Sequence, residues 1–262
     1  MTIVASLALV MILAWSYVAH VARMPGMSGA PMDDMAGMMD MPDMPGMVMA
    51  GSSGSAMATL PELFLMWTAM MIGMMLPSVL PNVLLFATMA RQRRESGRPP
   101  LSVSAFVGGY LAAWVGFSLV AALVQTRLRG ALLPQASTSR SAAIAAGVVL
   151  LLTGVYQWTR FKSACLSHCR SPIAHLSAHW REGRLGALHM GIEHGLVCVG
   201  CCWLLMGLLF VGGVMNPWWV GGLALLVLLE KVVPRGALLG RAAGLALAGW
   251  GLVLVVQGWR GV

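Results

Sequence analysis

Seven apolar runs, at about residues 2–22, 62–89, 103–126, 141–160, 188–211, 216–232 and 242–259, limit what this chain can become more than any other feature. A helix needs roughly 20 apolar residues to cross a bilayer, and each run approaches that length. With 262 residues, 58% hydrophobic, 10% charged and a mean hydropathy of +0.79, the chain holds more apolar side chains than a soluble domain of this size can bury. The expected fold is therefore all-α, a polytopic helical membrane protein of about seven transmembrane helices.

The net charge of +8 fits the same reading. The basic residues sit in short segments between the apolar runs, where they set orientation, so no nucleic-acid partner is implied. Arg91, Arg93, Arg94, Arg98, Arg160, Lys162, Arg170, Arg181, Arg184, Lys231, Arg235 and Arg241 fall in one set of connections, and Arg23, Arg127, Arg129, Arg140 and Arg260 in the other. The positive-inside rule then places the N-terminus inside and the C-terminus outside. The first run has no basic residue ahead of it and no clear cleavage signal, so a retained anchor is expected over a signal peptide. Three parts follow: an anchor at 1–22, a Met-rich segment at 23–58 outside the membrane, and a six-helix membrane domain at 59–262.

The run 188–211 carries groups that are expensive in hydrocarbon and are kept there mainly at functional sites. His194, Cys198 and Cys202 stand four apart, and Cys201 follows Cys198 by three, so one helical face presents sulfurs and an imidazole. His189 and Glu193 lie a little earlier. Such a donor set suits a soft metal ion. Glu230 and Lys231, adjacent near the end of another run, read either as a compensated ion pair or as a proton-linked group.

The segment 23–58 lacks Leu, Ile and Phe but holds ten methionines from Met24 to Met49, among them Met35, Met38, Met41 and Met44. Methionine also serves in adaptable apolar surfaces, yet nothing else here drives packing, and the composition predicts disorder in isolation. Thioethers are neutral ligands selective for Cu(I) and Ag(I), so this segment reads as external metal capture. Met66, Met70, Met71, Met74 and Met75 carry the same chemistry into the second run on two adjacent helical ladders, a candidate relay. Pro77 and Pro81 are expected to distort that helix and free carbonyls. By depth, Met74 and Met75 match the level of Cys198 to Cys202 at ~1.5 Å rise per residue, so the two helices are able to face each other.

Between the fourth and fifth runs, Cys165, His168 and Cys169 are spaced to converge on one ion, with His175 and His179 as a further pair. Lys162 and Arg170 beside them favour the thiolate. This cluster reads as a separate exchange site on the cytoplasmic side.

The composite from Cys165–Arg170 through Ser171-Pro172, His179-Trp180-Arg181, Met190-Gly191, His194-Gly195, Gly200-Cys201-Cys202-Trp203, Gly213 to Asn216 and Glu230-Lys231 resembles a family of metal-binding integral membrane proteins. That family is similar to the membrane copper chaperone accompanying a bacterial tyrosinase. The resemblance spans roughly 60–260 and implies a copper-handling membrane protein that supplies a cuproenzyme. The reading is a non-enzymatic Cu(I) carrier in the bacterial inner membrane, acting by ligand exchange among these sites. It fits the absence of any phosphate-binding loop. A mercury or general soft-metal importer and a membrane thiol-disulfide oxidoreductase using Cys198 and Cys201 are the alternatives.

Overall fold

The computed structural model describes residues 2–22, 59–97, 102–132, 139–170, 181–213 and 216–260. The Met-rich segment, with Met35, Met38, Met41 and Met44, and the pair His175 and His179 lie outside the described residues. Every described element is helical: α1 (Thr2–Ala22), α2 (Leu60–Glu95), α3 (Val103–Leu132), α4 (Ser139–Tyr156), α5 (Arg160–Arg170), α6 (Gly183–Gly207), the short α7 (Leu209–Gly212), α8 (Pro217–Val232) and α9 (Gly236–Arg260).

By length and composition, four described helices can cross a membrane, at 60–95, 103–127, 183–212 and 236–260. A fifth span arises if α4 and α5 count as one broken crossing. The run expected at 2–22 is helical over its whole length as α1 and the run at 216–232 forms the 16-residue α8, and neither is among those four. The run expected at 141–160 stops as a straight helix at Tyr156, and the chain bends by 63° before α5. At the bend Trp158 N–H donates to Val155 O and Thr159 N–H to Tyr156 O, a tightened last turn, while Thr159 Oγ1 accepts from Lys162 N–H and starts the next helix.

Local chemistry explains where α2 and α8 begin. Glu62 accepts from the Thr59 N–H at 2.7 Å with Pro61 in the first turn of α2, and Asn216 Oδ1 accepts from the Trp218 and Trp219 N–H groups ahead of α8. The proline pair does not break α2, which runs through Pro77 and Pro81. Pro77 has no N–H for Gly73 O, and Trp15 Nε1 of α1 donates to that carbonyl instead at 3.3 Å. The expected freed carbonyl is thus satisfied by a neighbouring helix and does not open onto a cavity.

Glycines set two close helix crossings. On α3 and α6, a Cβ at Gly191 would collide with Phe106 O, and one at Gly109 with Leu188 O. On α4 and α9, a Cβ at Gly154 would lie 2.6 Å from Gly244 O, and one at Gly251 2.6 Å from Gly147 O. Backbones approach this closely only where side chains are absent. The α3–α6 crossing matters most here, because it carries Tyr110 onto the cysteine face of α6.

A buried ion pair ties the bend to α8. Lys162 Nζ sits 2.7 Å from Glu230 Oε2, with side chains 3% and 2% exposed. Glu230 therefore pairs across the bundle with Lys162 and not with Lys231, its neighbour in sequence. Removing one partner leaves the other charge buried alone, whereas removing both restores balance. Lys162→Met is expected to lower stability by about 3–5 kcal/mol, and Lys162→Met with Glu230→Met to recover most of it. Thermal unfolding of the detergent-solubilised variants reads both.

Candidate metal site

Cysteines from two segments meet at one place. Cys198, on the buried face of α6, is reached by the thiols of Cys201 and Cys202 from its own helix and by Cys169 from α5; Cys169 also reaches Cys201. Cys201 and Cys202 further donate to the Cys198 carbonyl at 3.1 and 2.9 Å. The bend after α4 makes this possible by turning α5 back against α6. All five cysteines carry free thiols, and Cys165 is the partly exposed one, packing toward Gly200.

On α5 the expected Cys165, His168 and Cys169 set is spread over different faces, with Cys169 buried, Cys165 partly exposed and His168 exposed. Cys169 turns inward to Cys198, while His168 lies on the exposed side of α5 with Nδ1 against Ala164 O at 3.1 Å. Lys162 and Arg170 do not serve the thiols either. Lys162 is engaged with Glu230, and Arg170 donates to Val233 O and Pro234 O at 2.7 and 2.6 Å, clamping the turn between α8 and α9.

Around Cys198 stands a shell in which the sequence reading singled out His194 and Lys231 but not Tyr110, Ser78 or Asn82. The Tyr110 hydroxyl is 3.2 Å from Cys198 Sγ and 3.5 Å from Met75 O. Lys231 Nζ donates to Cys198 Sγ at 2.9 Å and to Ser78 Oγ at 3.1 Å, and Ser78 Oγ donates in turn to Met75 O. Asn82 Nδ2 lies 2.9 Å from His194 Nε2 and donates to Cys169 O at 3.1 Å. His194 is thereby tied to Asn82 and packed beside Phe106 and Tyr110, and its imidazole orients the wall of the cluster. The available signals were modest: Ser78 and Asn82 are polar residues in an apolar proline-bearing run, and Tyr110 is one of only three tyrosines.

Asn82 of α2 touches His194 of α6 directly, and Tyr110 of α3 bridges Met75 O and Cys198 Sγ. Met70, Met71, Met74 and Met75 are all buried, and they belong to the same apolar core as Cys198, Cys201, Cys202, Met190 and Met206. His189 and Glu193 stand off this cluster as a partly exposed pair at 2.9 Å. Among the described residues, no three His, Cys, Asp or Glu side chains have the mutual placement of a completed ion site. The preformed elements are thiol pairs converging on Cys198, within a core rich in thioethers. Soft donors in small number suit Cu(I), whereas structural zinc takes four ligands.

Fold and site together define a helical bundle with four described helices long and apolar enough to cross a membrane and a buried sulfur cluster. The chain belongs to the PpoB2 family, described as a copper chaperone, whose profile matches residues 64–254. That stretch contains every residue of the cluster and its shell. No curated protein and no solved structure matches the chain. Its function is copper-related, and family membership points to a non-enzymatic role.

Proposed function

We propose that the protein is a Cu(I) carrier of the bacterial inner membrane, receiving the ion on the outer side and passing it to or across the membrane, with a cuproenzyme as a recipient. The observation that carries this reading is the convergence of Cys169, Cys201 and Cys202 on Cys198 inside a bundle of a copper chaperone family. Buried thiols without a disulfide or a carboxylate around them suit a soft monovalent cation, and the neighbouring core methionines offer a second set of soft ligands.

In this reading the segment 23–58, held by the anchor at 1–22, captures the ion with Met35, Met38, Met41, Met44 and their neighbours. Met70, Met71, Met74 and Met75 hand it on within the domain 59–262, and Cys198 holds it with a second thiol. Cys165, beside Gly200 on the exposed side of the cluster, is the exit donor. Because thiols lose their protons on metallation, binding releases protons, and the Tyr110 hydroxyl and Lys231 Nζ both lie at Cys198 Sγ.

Metal analysis of protein purified without oxygen tests the assignment directly. Copper is expected to co-purify or to load stoichiometrically as Cu(I); a protein that takes up Hg(II) or Zn(II) but rejects Cu(I) and Ag(I) overturns it. Deletion of residues 24–49 is expected to reduce copper delivery when copper is scarce while leaving the fold and the Cu(I) affinity of the purified protein unchanged. Loss of assembly in that deletion contradicts a capture role.

A further inference from the structure

Among the described residues Lys231 is the one ammonium fixed on the cysteine cluster, and the copper-carrying reading gives its charge no part in choosing the ion. Its Nζ rests on Cys198 Sγ at 2.9 Å and Ser78 Oγ at 3.1 Å. The carboxylate next to it in sequence, Glu230, is neutralised by Lys162 at 2.7 Å. Among the described residues no carboxylate reaches Lys231. The groups facing it are the Ser78 and Tyr110 hydroxyls and the thiols of Cys198, Cys201 and Cys202. Its positive charge is therefore balanced only by what happens at sulfur.

We infer that Lys231 is the specificity-determining residue of the site, a fixed charge that admits monovalent soft cations and rejects divalent ones. The inference deepens the copper-carrying reading and rests on it. A monovalent ion held between two thiolates forms a unit of charge −1, which the ammonium neutralises. A divalent ion between the same two thiolates is already neutral, so the ammonium leaves an uncompensated positive charge in a low-dielectric interior. Such a charge is costly, and its repulsion by Lys231 doubles with the ion's valence. Two thiolates are the relevant number, because among the described residues no three His, Cys, Asp or Glu side chains have the mutual placement of a completed ion site.

The charge count makes a two-sided prediction. In K231M the monovalent complex loses its counter-charge while the divalent complex becomes neutral. Relative to wild type, Cu(I) and Ag(I) affinity is expected to fall at least about tenfold, and Zn(II) and Cd(II) affinity to rise at least about tenfold. K231R, which keeps the charge, retains the wild-type order. The measurement is competition titration of the full-length, anaerobic, detergent-solubilised protein with each ion, with size-exclusion profiles confirming that each variant is folded; K231Q replaces K231M should the latter fail to fold. An unchanged ratio of monovalent to divalent affinity in a folded charge-removed variant overturns the assignment. A wild-type protein that binds no Cu(I) overturns the copper-carrying reading instead, and the filter is then judged on Zn(II) and Cd(II) uptake alone, which loss of the charge must raise.

Discussion

Cys198→Ser is expected to weaken Cu(I) binding by at least ~100-fold, more than any other single cysteine change, with the helical fold retained. Loss of residues that merely orient metal ligands already costs 10–100-fold, and Cys198 is the sulfur on which the other donors converge. Serine keeps nearly the same size and the hydrogen bond to Tyr110 but offers a hard oxygen to a soft ion. The connected prediction concerns Cys169. Two independent sites, as the spacing alone suggested, would let Cys169→Ser keep full affinity at α6. A shared cluster predicts that Cys169→Ser weakens the same binding event by about tenfold or more. Cu(I) competition against a chromogenic chelator, run on both variants and on the double variant, reads the outcome. Equal affinity in wild type and Cys198→Ser removes the cluster from consideration, and simple additivity of the two changes argues for separate sites.

Gly191→Leu is expected to abolish the folded protein. A Cβ at this position collides with the Phe106 carbonyl of α3, and the rigid backbone on both sides leaves no flexible side chain to yield. Relief requires α3 and α6 to separate, which would pull Tyr110 from Cys198 and expose the core between them. Overpacking costs typically 1–3 kcal/mol when side chains give way, and here the obstacle is main chain, so the expected loss exceeds about 4 kcal/mol, the range reserved for severe disruption. Yield of monodisperse protein in detergent and its thermal midpoint measure the effect. Gly207→Ala is the control, since a Cβ there meets nothing within 4 Å. A folded Gly191→Leu protein of near wild-type stability shows the crossing to be looser than described.

Helical class and the four long apolar helices could be read from the chain, because the length of an apolar run sets whether a helix is long enough to cross a bilayer. The cysteine face of α6 was equally visible, since the spacing of Cys198 and Cys202 fixes a shared face on any helix. Two kinds of information were hidden. The first was the direction of the chain after Tyr156: a 63° bend folds Cys169 back onto α6, and no local residue pattern specifies a long-range return of that sort. The second was partner choice among buried charges. Adjacency suggested that Glu230 pairs with Lys231, but successive residues on a helix point about 100° apart, so Glu230 looks toward Lys162 and Lys231 toward Cys198. Proline likewise misled, because the carbonyl that Pro77 leaves open is answered by Trp15, fifty-eight residues earlier.

The pairing of Lys162 with Glu230 also orders events during biosynthesis. The two residues are sixty-eight positions apart, so the ribosome delivers α5 well before the segment that answers its charge. A charge buried without its partner is costly, so the seating of α5 against the bundle is expected to follow the synthesis of α8. Cys169 is withheld for the same interval. On this ordering Cys169 joins Cys198 only once α8 has been made, so an incomplete chain is expected to lack the full sulfur cluster.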